Sequence, residues 1–249
     1  MMTAAMRSFW LACAVALAFA VPAHAKTTCK DITFENLPFS LCEVTAGADL
    51  RLFHTDTSGA VLGSFAKVDE VLKPEGKSLR FAMNAGMYHA DRAPVGLLVT
   101  KGQEQSTIVT ADGPGNFGLL PNGVFCIGEG FSVVESRAFA ARRPSCQFAS
   151  QSGPMLVIDG KLHPRFLPKS DSRYIRNGVG VSADGKTAYF AISGQPVNFA
   201  QFGRLFRDAL KLPNALYFDG KISRLFSTEL HRNDFGFQMG PIVGLVVGD

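Results

Sequence analysis

Short runs of apolar or alternating residues, separated by Gly, Asp, Asn and Pro, recur along almost the whole chain. Runs of this length are typical of β-strands, and the residues between them are those that turns favour. Strands do not alternate regularly with long helices, which argues against a doubly wound parallel sheet. The pattern predicts one strand-rich α+β domain with mostly antiparallel or mixed sheet and few helices. The predicted strands are Leu37–Val44, Asp49–His54, Leu79–Met83, Val95–Thr100, Val124–Ile127, Phe131–Glu135, Met155–Ile158, Gly178–Ser182, Ala188–Ile192, Ala215–Phe218 and Ile242–Val247.

Two segments have the spacing of an amphipathic helix. Ala66–Lys73 is short and ends before Pro74, which could not continue a helix. In Asn198–Leu210, apolar side chains recur at intervals of three and four residues, and Asn198 is a suitable N-cap. We therefore predict a helix at each of these two places.

The first 25 residues have the features of a secretory signal peptide. Arg7 precedes the apolar run Phe9–Val21, which is too short to span a bilayer comfortably, and Ala23–Ala25 resembles a cleavage site. An uncleaved membrane anchor is the alternative. Cleavage after Ala25 would leave a single domain, 26–249, without a later membrane-spanning segment. The prediction is a bacterial periplasmic or secreted protein.

Signal cleavage would also remove Cys13 and leave an even number of cysteines. An even number in an exported chain predicts disulfides. Sequential pairing, Cys29 with Cys42 and Cys126 with Cys146, is the simplest of the three connectivities. A zinc site is the alternative, although no pair has CxxC spacing and no histidine cluster accompanies them.

Charge and motifs argue against several classes of partner. The formal net charge is only +4, and there is no basic run of the kind that nucleic-acid-binding proteins carry. No GxGxxG or Walker-type loop follows a strand, so we expect no nucleotide cofactor. The histidines are scattered and lack metal-ligand spacing, so no metal site is predicted, and the sequence leaves open a structural calcium held by loop aspartates and carbonyls. Nothing in the sequence indicates the oligomeric state.

The tripeptide Asp-Gly-Lys occurs three times, beginning at Asp159, Asp184 and Asp219, each time among strand-forming residues. Asp-Gly between two strands favours a type I′ hairpin turn, which needs positive φ at both central residues. We prefer this interpretation for Asp159 and Asp184. Asp219 is locally identical, so its own surroundings leave open whether it is a turn residue or a catalytic carboxylate.

The segment NAGMYH breaks an apolar strand at a place where strand ends tend to carry sites. Gly86 would allow a ligand to approach the backbone, while Asn84 offers an amide and His89 an imidazole. A polar loop joining two strands is the alternative.

Two further segments combine small and polar residues. Ser150–Val157 contains consecutive small residues whose backbone N–H groups could bind an anion, although an ordinary turn would look the same. Arg176 directly precedes an apolar strand. An arginine at such a place is either a surface residue or a fixed clamp for phosphate or carboxylate.

As a set, these segments resemble the phosphodiester glycosidase family, which includes the lysosomal uncovering enzyme that removes N-acetylglucosamine from phosphodiester-linked sugars. Four blocks match in order: NAGMY with the following PVGLLV, QSGPMLVIDG, IRNGVGVSADG, and NALYFDGKIS. The resemblance covers roughly Val44 to Val247 and is greatest to an exported bacterial branch.

The resemblance implies which Asp-Gly-Lys aspartate is catalytic. In the family's last block an apolar strand is followed by Asp-Gly-Gly and then by serine positions. Asp219 and Gly220 match, Ser223 stands near the serines, and Lys221 replaces the second glycine. Arg176 matches the arginine that opens the third block. By the same resemblance, the substrate-binding residues are Asn84, Gly86, Tyr88, Gln151, Ser152, Gly153, Asn177, Gly220 and Ser223.

The implied activity is hydrolysis of a sugar-1-phosphodiester, such as one of N-acetylglucosamine, at the anomeric carbon, without a cofactor. Asp219 would activate water or stabilise positive charge, Arg176 would complement the phosphate, and His89 would assist proton transfer if it points inward. Glu43 and Asp91 are the candidates for a second carboxylate. The departure at Lys221 motivates one alternative, a non-catalytic envelope protein that binds glycan or phosphoglycan. Another alternative is a hydrolase of a different phosphodiester-linked envelope polymer.

Overall fold

The computed structural model of the chain describes residues 27–219 and 221–248. The predicted signal peptide and Gly220 lie outside these residues. The described chain contains short strands and a few short helices. The strands are β1 (Thr27–Phe34), β2 (Leu37–Thr45), β3 (Leu50–Phe53), β4 (Lys77–Asn84), β5 (Leu98–Thr100), β6 (Gln103–Ser106), β7 (Gly123–Ile127), β8 (Phe131–Glu135), β9 (Phe148–Ser152), β10 (Met155–Ile158), β11 (Lys161–Leu162), β12 (Asn177–Val181), β13 (Thr187–Ser193), β14 (Asn214–Asp219), β15 (Leu225–Ser227), β16 (Arg232–Asn233) and β17 (Ile242–Gly248).

The strands form three antiparallel sheets. The first has seven strands in the order β1-β2-β13-β12-β14-β10-β11. The second has the order β16-β15-β4-β17-β3, and the third the order β6-β5-β9-β7-β8. The predicted α+β class, with mostly antiparallel pairing in one strand-rich domain, is confirmed. Strands that the sequence did not predict are β1, β6, β9, β11, β15 and β16.

A cluster of phenylalanines joins the three sheets. Phe190 on β13 lies with its ring centroid 5.1 Å from that of Phe81 on β4 and 5.6 Å from that of Phe125 on β7. Phe218 on β14 packs edge-on against Phe125 at 6.4 Å. All four side chains are fully buried. Because each sheet contributes at least one ring, the three sheets share a single core, and edge-to-face contacts add to the stability gained by burial.

The two predicted helices are present with different details. Helix α1 (Phe65–Leu72) begins at its N-cap Ser64 and continues as a 3₁₀ turn, Lys73–Glu75. Helix α3 (Phe199–Arg204) begins with a capping box and continues as the π-helical turn Leu205–Ala209, so the second predicted helix is correct in extent but not uniformly α-helical. A third helix, α2 (Ser136–Arg142), was not predicted.

Two disulfides pair sequential cysteines, as the simplest prediction had it. Cys29 and Cys42 face each other on the paired strands β1 and β2. Cys126 on β7 is bonded to Cys146, which precedes β9. Disulfides form and persist in oxidising compartments, so these two indicate an extracytoplasmic location. Within 27–219 and 221–248, no helix is long and apolar enough to cross a membrane.

Two of the three Asp-Gly-Lys tripeptides are hairpin turns. Asp159 and Gly160 both have positive φ, 46° and 76°, and join the paired residues Ile158 and Lys161, as a type I′ turn requires. The turn at Asp184 is longer and only Gly185 has positive φ, so the predicted turn type is wrong there. The Asp184 carboxylate instead accepts hydrogen bonds from the Ser182 hydroxyl at 2.6 Å and the Lys186 N–H at 3.0 Å.

His163, which follows β11, should make folding stability sensitive to acid. Its Nε2 lies 3.1 Å from the Leu120 carbonyl, and its Nδ1 accepts the Arg165 N–H at 3.2 Å, so the ring fits as a neutral Nε2–H tautomer. Burial lowers the pKa of His163 from 6.5, and nearby Arg165 lowers it further, although the bond to Leu120 opposes the shift. The unfolded chain therefore binds the proton more readily than the folded chain.

We expect the melting temperature to fall as the pH drops below about 6.5, towards the lower pKa of folded His163. Differential scanning fluorimetry with an external dye, between pH 8 and 5, measures this. His163→Gln should show a smaller decline. His231→Asn is the control, because His231 is exposed and asparagine tolerates its positive φ of 50°. Equal declines in the wild type and His163→Gln would contradict the prediction.

Candidate active site

A cavity of about 730 Å³ opens where strands of the first and second sheets end. β14 and β4 run towards it, and β12 and β17 start beside it. Strand ends offer loops whose side chains can converge on a ligand while the sheets hold them in place. The lining residues are Met87, Tyr88, His89, Ala90, Arg92, Val95, Asn116, Ser172, Tyr174, Tyr217, Asp219, Lys221, Ile222, Phe237 and Gln238. Three predicted site residues, Tyr88, His89 and Asp219, are among them.

Asp219 is the last residue of β14 and is partly buried at the cavity wall. One of its carboxylate oxygens, Oδ1, accepts the N–H of Lys221 at 2.9 Å, and its own N–H donates to Asn177 Oδ1 at 3.2 Å. Within the described part of the chain, no other acidic side chain lines this cavity. Asp219 is thus the third Asp-Gly-Lys aspartate and, unlike Asp159 and Asp184, it lines this cavity.

A buried pair of amides holds the strand that carries Asp219. Asn84, at the end of β4, and Asn177, at the start of β12, have no solvent exposure. The Asn84 side-chain amide donates to Asn177 Oδ1 at 3.1 Å, and the Asn177 amide donates to the Asn84 carbonyl at 2.9 Å. Asn84 Oδ1 also accepts the Arg224 N–H at 3.0 Å. The pair links the first and second sheets and the segment after Asp219, and lies behind the cavity wall.

Ser223 adds further hydrogen bonds around Asp219. Its hydroxyl lies 2.8 Å from both the Asp219 carbonyl and the Ile175 carbonyl. Ser223 is therefore tied both to Asp219 and to the segment just before β12. Ser223 does not line the main cavity, and its hydroxyl contacts the backbone of Asp219 and Ile175 instead.

Arg176 lies directly behind the cavity wall. Its side chain is fully buried, with the guanidinium carbon 3.7 Å from the ring centroid of Phe199 and 5.3 Å from that of Tyr217. Nε donates to the Val197 carbonyl at 2.9 Å, and Nη2 donates to the Ser172 carbonyl at 3.0 Å. Nη1 has no hydrogen-bond partner in the described chain.

The placement of Arg176 fits neither interpretation made from sequence. The side chain is not on the surface, and two of its nitrogens are already used by backbone carbonyls. A buried cation is costly unless it is compensated. The described residues offer it no salt bridge, so the rings of Phe199, Tyr217 and Tyr174 and the two carbonyls provide the compensation. Burial lowers the pKa of Arg176, and Tyr217 and Tyr174 oppose this shift.

Two tyrosines, Tyr88 and Tyr217, line the cavity and keep their hydroxyl protons at neutral pH. Burial raises the pKa of Tyr217, and the charge of Asp219 adds to this, although Arg176 opposes it. Burial also raises the pKa of Tyr88, and Asp219 again adds to the shift. Tyr88 donates to the Gln238 carbonyl at 3.3 Å. The Tyr217 phenol can therefore donate a hydrogen bond to an oxygen of a ligand, whereas the proton of Tyr88 is already engaged by the Gln238 carbonyl.

The loop after β4 brings basic groups to the cavity. His89 is exposed at the cavity mouth and is bonded through its backbone to Ala93. Arg92 has positive φ, 74°, and its guanidinium carbon lies 5.5 Å from the ring centroid of Tyr88. Arg92 Nη1 donates to the Ala90 carbonyl at 2.7 Å, while its buried Nε has no partner among the described residues. With Lys221, these side chains make the cavity wall basic.

The QSGP block lies behind the cavity, not on its wall. Gln151 accepts the N–H groups of Leu97 and Val109 at 3.0 and 2.9 Å and donates to the Ser136 hydroxyl at 2.8 Å. Ser152 donates to the Phe218 carbonyl at 2.8 Å. Both side chains are buried with their hydrogen bonds made inside the protein.

The glycines of the matched blocks allow close packing of the chain on itself. A Cβ at Gly86 would lie 2.8 Å from the Ser150 hydroxyl, and a Cβ at Gly153 would lie 2.6 Å from Asn122 Cβ. The space beside Gly86 is therefore filled by β9, so the expectation that a ligand approaches there is not met by its surroundings.

The two candidates for a second carboxylate lie outside the cavity wall. Glu43 is on β2, paired with Tyr189, and Asp91 is exposed, where it accepts the Ala93 N–H at 3.0 Å. No group of three or more His, Cys, Asp and Glu residues able to hold a metal ion occurs in the described chain. Residues that the sequence reasoning missed include Arg92, Ser172, Tyr174, Tyr217 and Phe237.

Fold and cavity together define a strand-rich, disulfide-bonded domain with a basic, tyrosine-lined cavity around one carboxylate. The profile of the phosphodiester glycosidase family matches residues 77–239, and the chain belongs to this family. An uncharacterised Escherichia coli protein, YigE, is 35% identical over 178 residues, covering 71% of this chain and 69% of its own.

Two solved structures share the fold at low sequence identity. The catalytic domain of zebrafish N-acetylglucosamine-1-phosphodiester α-N-acetylglucosaminidase, auto-inhibited by its pro-peptide, matches with a TM-score of 0.58 and 13% identity, over 92% of this chain and 85% of its own. A Burkholderia pseudomallei protein named for its expected export matches with a TM-score of 0.52 and 11% identity, over 84% of this chain and 74% of its own. At such identities these matches establish the fold alone.

Proposed function

We propose that this protein is an exported hydrolase that cleaves a sugar-1-phosphodiester, such as one of N-acetylglucosamine, at the anomeric carbon. The observation that carries the proposal is Asp219, a carboxylate in a cavity whose other charged lining groups are basic. A phosphodiester presents an anion next to a carbon that becomes positive in the transition state. A site for it needs positive charge on one side and a carboxylate on the other.

Asp219 is assigned the catalytic role in this scheme. The bond between the anomeric carbon and the phosphate oxygen breaks with its electron pair leaving on the phosphate. Water forms the new bond to carbon, and its proton passes to Asp219 and then to solvent. Asp219 also stabilises the oxocarbenium-like transition state by its charge. Because a phosphate monoester is a good leaving group without protonation, a second carboxylate acting as general acid is not required.

The anion would be held by the basic side of the cavity. Lys221 and Arg92 line the wall, and Arg92 has a buried Nε without a partner among the described residues. Arg176 acts from behind Tyr217, where a low-dielectric core leaves its charge less screened than a surface charge. It is a positioning and electrostatic residue here, and it does not contact the phosphate directly. His89, at the mouth, is placed to relay the proton to solvent.

The sugar would be oriented by hydroxyl groups and aromatic faces. Tyr88 and Tyr217 offer phenol groups, and Tyr174 and Phe237 present exposed rings at the cavity. Aromatic rings beside hydrogen-bonding groups suit a sugar, which has apolar faces and polar edges. The wall of the first cavity is then supported by residues that do not contact the sugar: Asn84, Asn177, Gln151, Ser152, Gly153, Gly86 and Ser223.

A non-catalytic phosphoglycan-binding protein is the second candidate. The observation that favours it is that the described wall carries one carboxylate, whereas most glycosidases use two. Turnover separates the two functions. The mature chain, produced in an oxidising compartment, is incubated with UDP-N-acetylglucosamine, alkyl phospho-N-acetylglucosamine and other sugar-1-phosphodiesters, and free sugar and phosphate monoester are quantified. We expect both products in equal amounts. Saturable binding by calorimetry without any release across the panel would favour the binding protein.

A further inference from the structure

A second cavity of about 460 Å³ adjoins the first. The two share the residues Lys221 and Ile222. The second cavity is otherwise lined by Ile175, Ser223, Arg224, Asn233, Asp234 and Phe235. The scheme proposed for Asp219 does not use it. Shared walls mean that one elongated ligand could occupy both cavities together.

The loop Phe235–Phe237 spans both cavities. Phe237 lines the first and Phe235 the second, and both rings are largely exposed, at 77% and 95%. Gly236 between them has φ of 141°, and a Cβ there would lie 2.7 Å from Arg224 Nη2. The loop backbone therefore rests on the Arg224 guanidinium. Large exposed rings beside a cavity are uncommon without a ligand to cover them.

The charge of the second cavity is positive. Arg224 is a wall residue with only 7% exposure, and Lys221 adds a second cation. The one acidic residue of the described wall, Asp234, forms a salt bridge with Arg232 at 2.8 Å, which offsets its charge. Burial lowers the pKa of Arg224, while Tyr88 and Asp234 oppose the shift. A buried guanidinium in a concave wall is a group suited to a phosphate.

We propose that the second cavity binds a second phosphate group of the substrate, on the side of the leaving group. Resting on the proposed function of the first cavity, this inference narrows the substrate class to sugar-1-phosphodiesters whose aglycone carries another phosphate, as in a repeating phosphodiester chain. Lys221, which replaces the family's second glycine, lies between the two anions, and Phe235 covers the unit that joins them.

The test uses compounds without a sugar, so it does not depend on turnover. A series of linear alkanediol bisphosphates with two to eight carbons is titrated into the mature protein by calorimetry. Each is compared with the alkyl monophosphate of equal length. We expect the bisphosphate of one chain length to bind at least about tenfold more tightly than the monophosphate of equal length, because a second tethered contact adds to the first. This ratio of the two affinities is called the bisphosphate advantage below.

Two variants place the effect in the second cavity. Asn233→Asp adds a carboxylate to its wall at an exposed position, and Arg224→Gln removes its buried cation. Both should reduce the bisphosphate advantage to less than about threefold and leave monophosphate binding nearly unchanged. Gln105→Glu adds the same charge on the exposed strand β6, outside both cavities, and should keep the full advantage. If Arg224→Gln does not fold, Asn233→Asp carries the test alone.

The outcomes separate this inference from the proposed function. No tether length with an advantage, or an advantage that survives Asn233→Asp, overturns the second phosphate site, whether or not sugar is released elsewhere. An advantage that Asn233→Asp removes supports the site. If the same protein then releases no sugar from any sugar-1-phosphodiester, the hydrolase assignment fails and the second phosphate site stands as part of a binding groove.

Discussion

Asp219→Asn should lower kcat for sugar release by about 10²–10⁴-fold, the range for removing a general base or an aligned charge. Asparagine keeps the size of the side chain and the oxygen that accepts the Lys221 N–H. The fold and the cavity are therefore retained, and what is lost is the negative charge. Product formation from the preferred sugar-1-phosphodiester, measured under saturating substrate, gives kcat directly.

Asp184→Asn is the matched control. Asp184 belongs to the same tripeptide and accepts the Lys186 N–H at 3.0 Å, just as Asp219 accepts that of Lys221 at 2.9 Å. It lines neither of the two cavities. Its variant should keep wild-type kcat. An Asp219→Asn protein that turns over within about threefold of the wild type would remove Asp219 from the mechanism.

A second readout tests the position of Asp219 without turnover. Its charge raises the pKa of Tyr88 and of Tyr217, in both cases after the larger contribution of burial. Asp219→Asn should therefore let these tyrosines ionise at lower pH than in the wild type, which the ultraviolet absorbance of tyrosinate reports. An unchanged alkaline titration would mean that the carboxylate does not face the phenols.

Arg176→Met should weaken the binding of a charged ligand more than that of a neutral one. Methionine can fill the space against Phe199 but carries no charge, and it leaves the carbonyls of Val197 and Ser172 without their donors. Affinities are measured in the Asp219→Asn background, with alkyl phospho-N-acetylglucosamine and with the neutral alkyl α-glycoside. The affinity for the phosphodiester should fall about tenfold, on the scale of a buried charge acting through several ångströms of protein, and that for the glycoside much less.

Arg176→Lys separates charge from packing. Lysine keeps the positive charge but loses the planar stack on Phe199 and the fixed geometry of the two backbone bonds. It should retain part of the preference for the phosphodiester. If Arg176→Met weakens both ligands equally, Arg176 only builds the wall, and Lys221 and Arg92 hold the anion without it. Near-ultraviolet circular dichroism checks that each variant keeps its packing.

The strands that sequence could predict are those whose apolar residues alternate or form a continuous run. β9 was missed because it reads FASQS, and its polar side chains are buried through hydrogen bonds made by distant residues. β6, with QEQS, is an exposed edge strand and lacks an apolar face. The local pattern of apolar residues predicts which apolar side chains are buried. It does not predict buried polar side chains, because their hydrogen-bond partners lie far away in the sequence.

The family resemblance identifies Asp219 as the candidate catalytic carboxylate, but it does not identify most of the other residues that line the cavity. Tyr217 could have been found, since it precedes Asp219 by two residues on a strand and therefore shares its face. Arg92 could also have been found, because it closely follows the NAGMYH segment, which the sequence already indicated as part of a site. The burial of Arg176 could not be foreseen, because the rings that enclose it come from Tyr174, Phe199 and Tyr217, whose meeting is decided by tertiary packing.

The buried amide pair Asn84–Asn177 has a consequence for enzymology. The groups that hold Asp219 in place are amides, a hydroxyl and backbone atoms, none of which gains or loses a proton between mild acid and mild base. A pH–rate profile of this protein should therefore report the ionisation of the substrate and of the residues that line the cavity. The hydrogen bonds that hold Asp219 should not change over this pH range. Substituting Asn84, Asn177 or Ser223 should therefore change the size of kcat. It should not shift the pH values at which kcat changes.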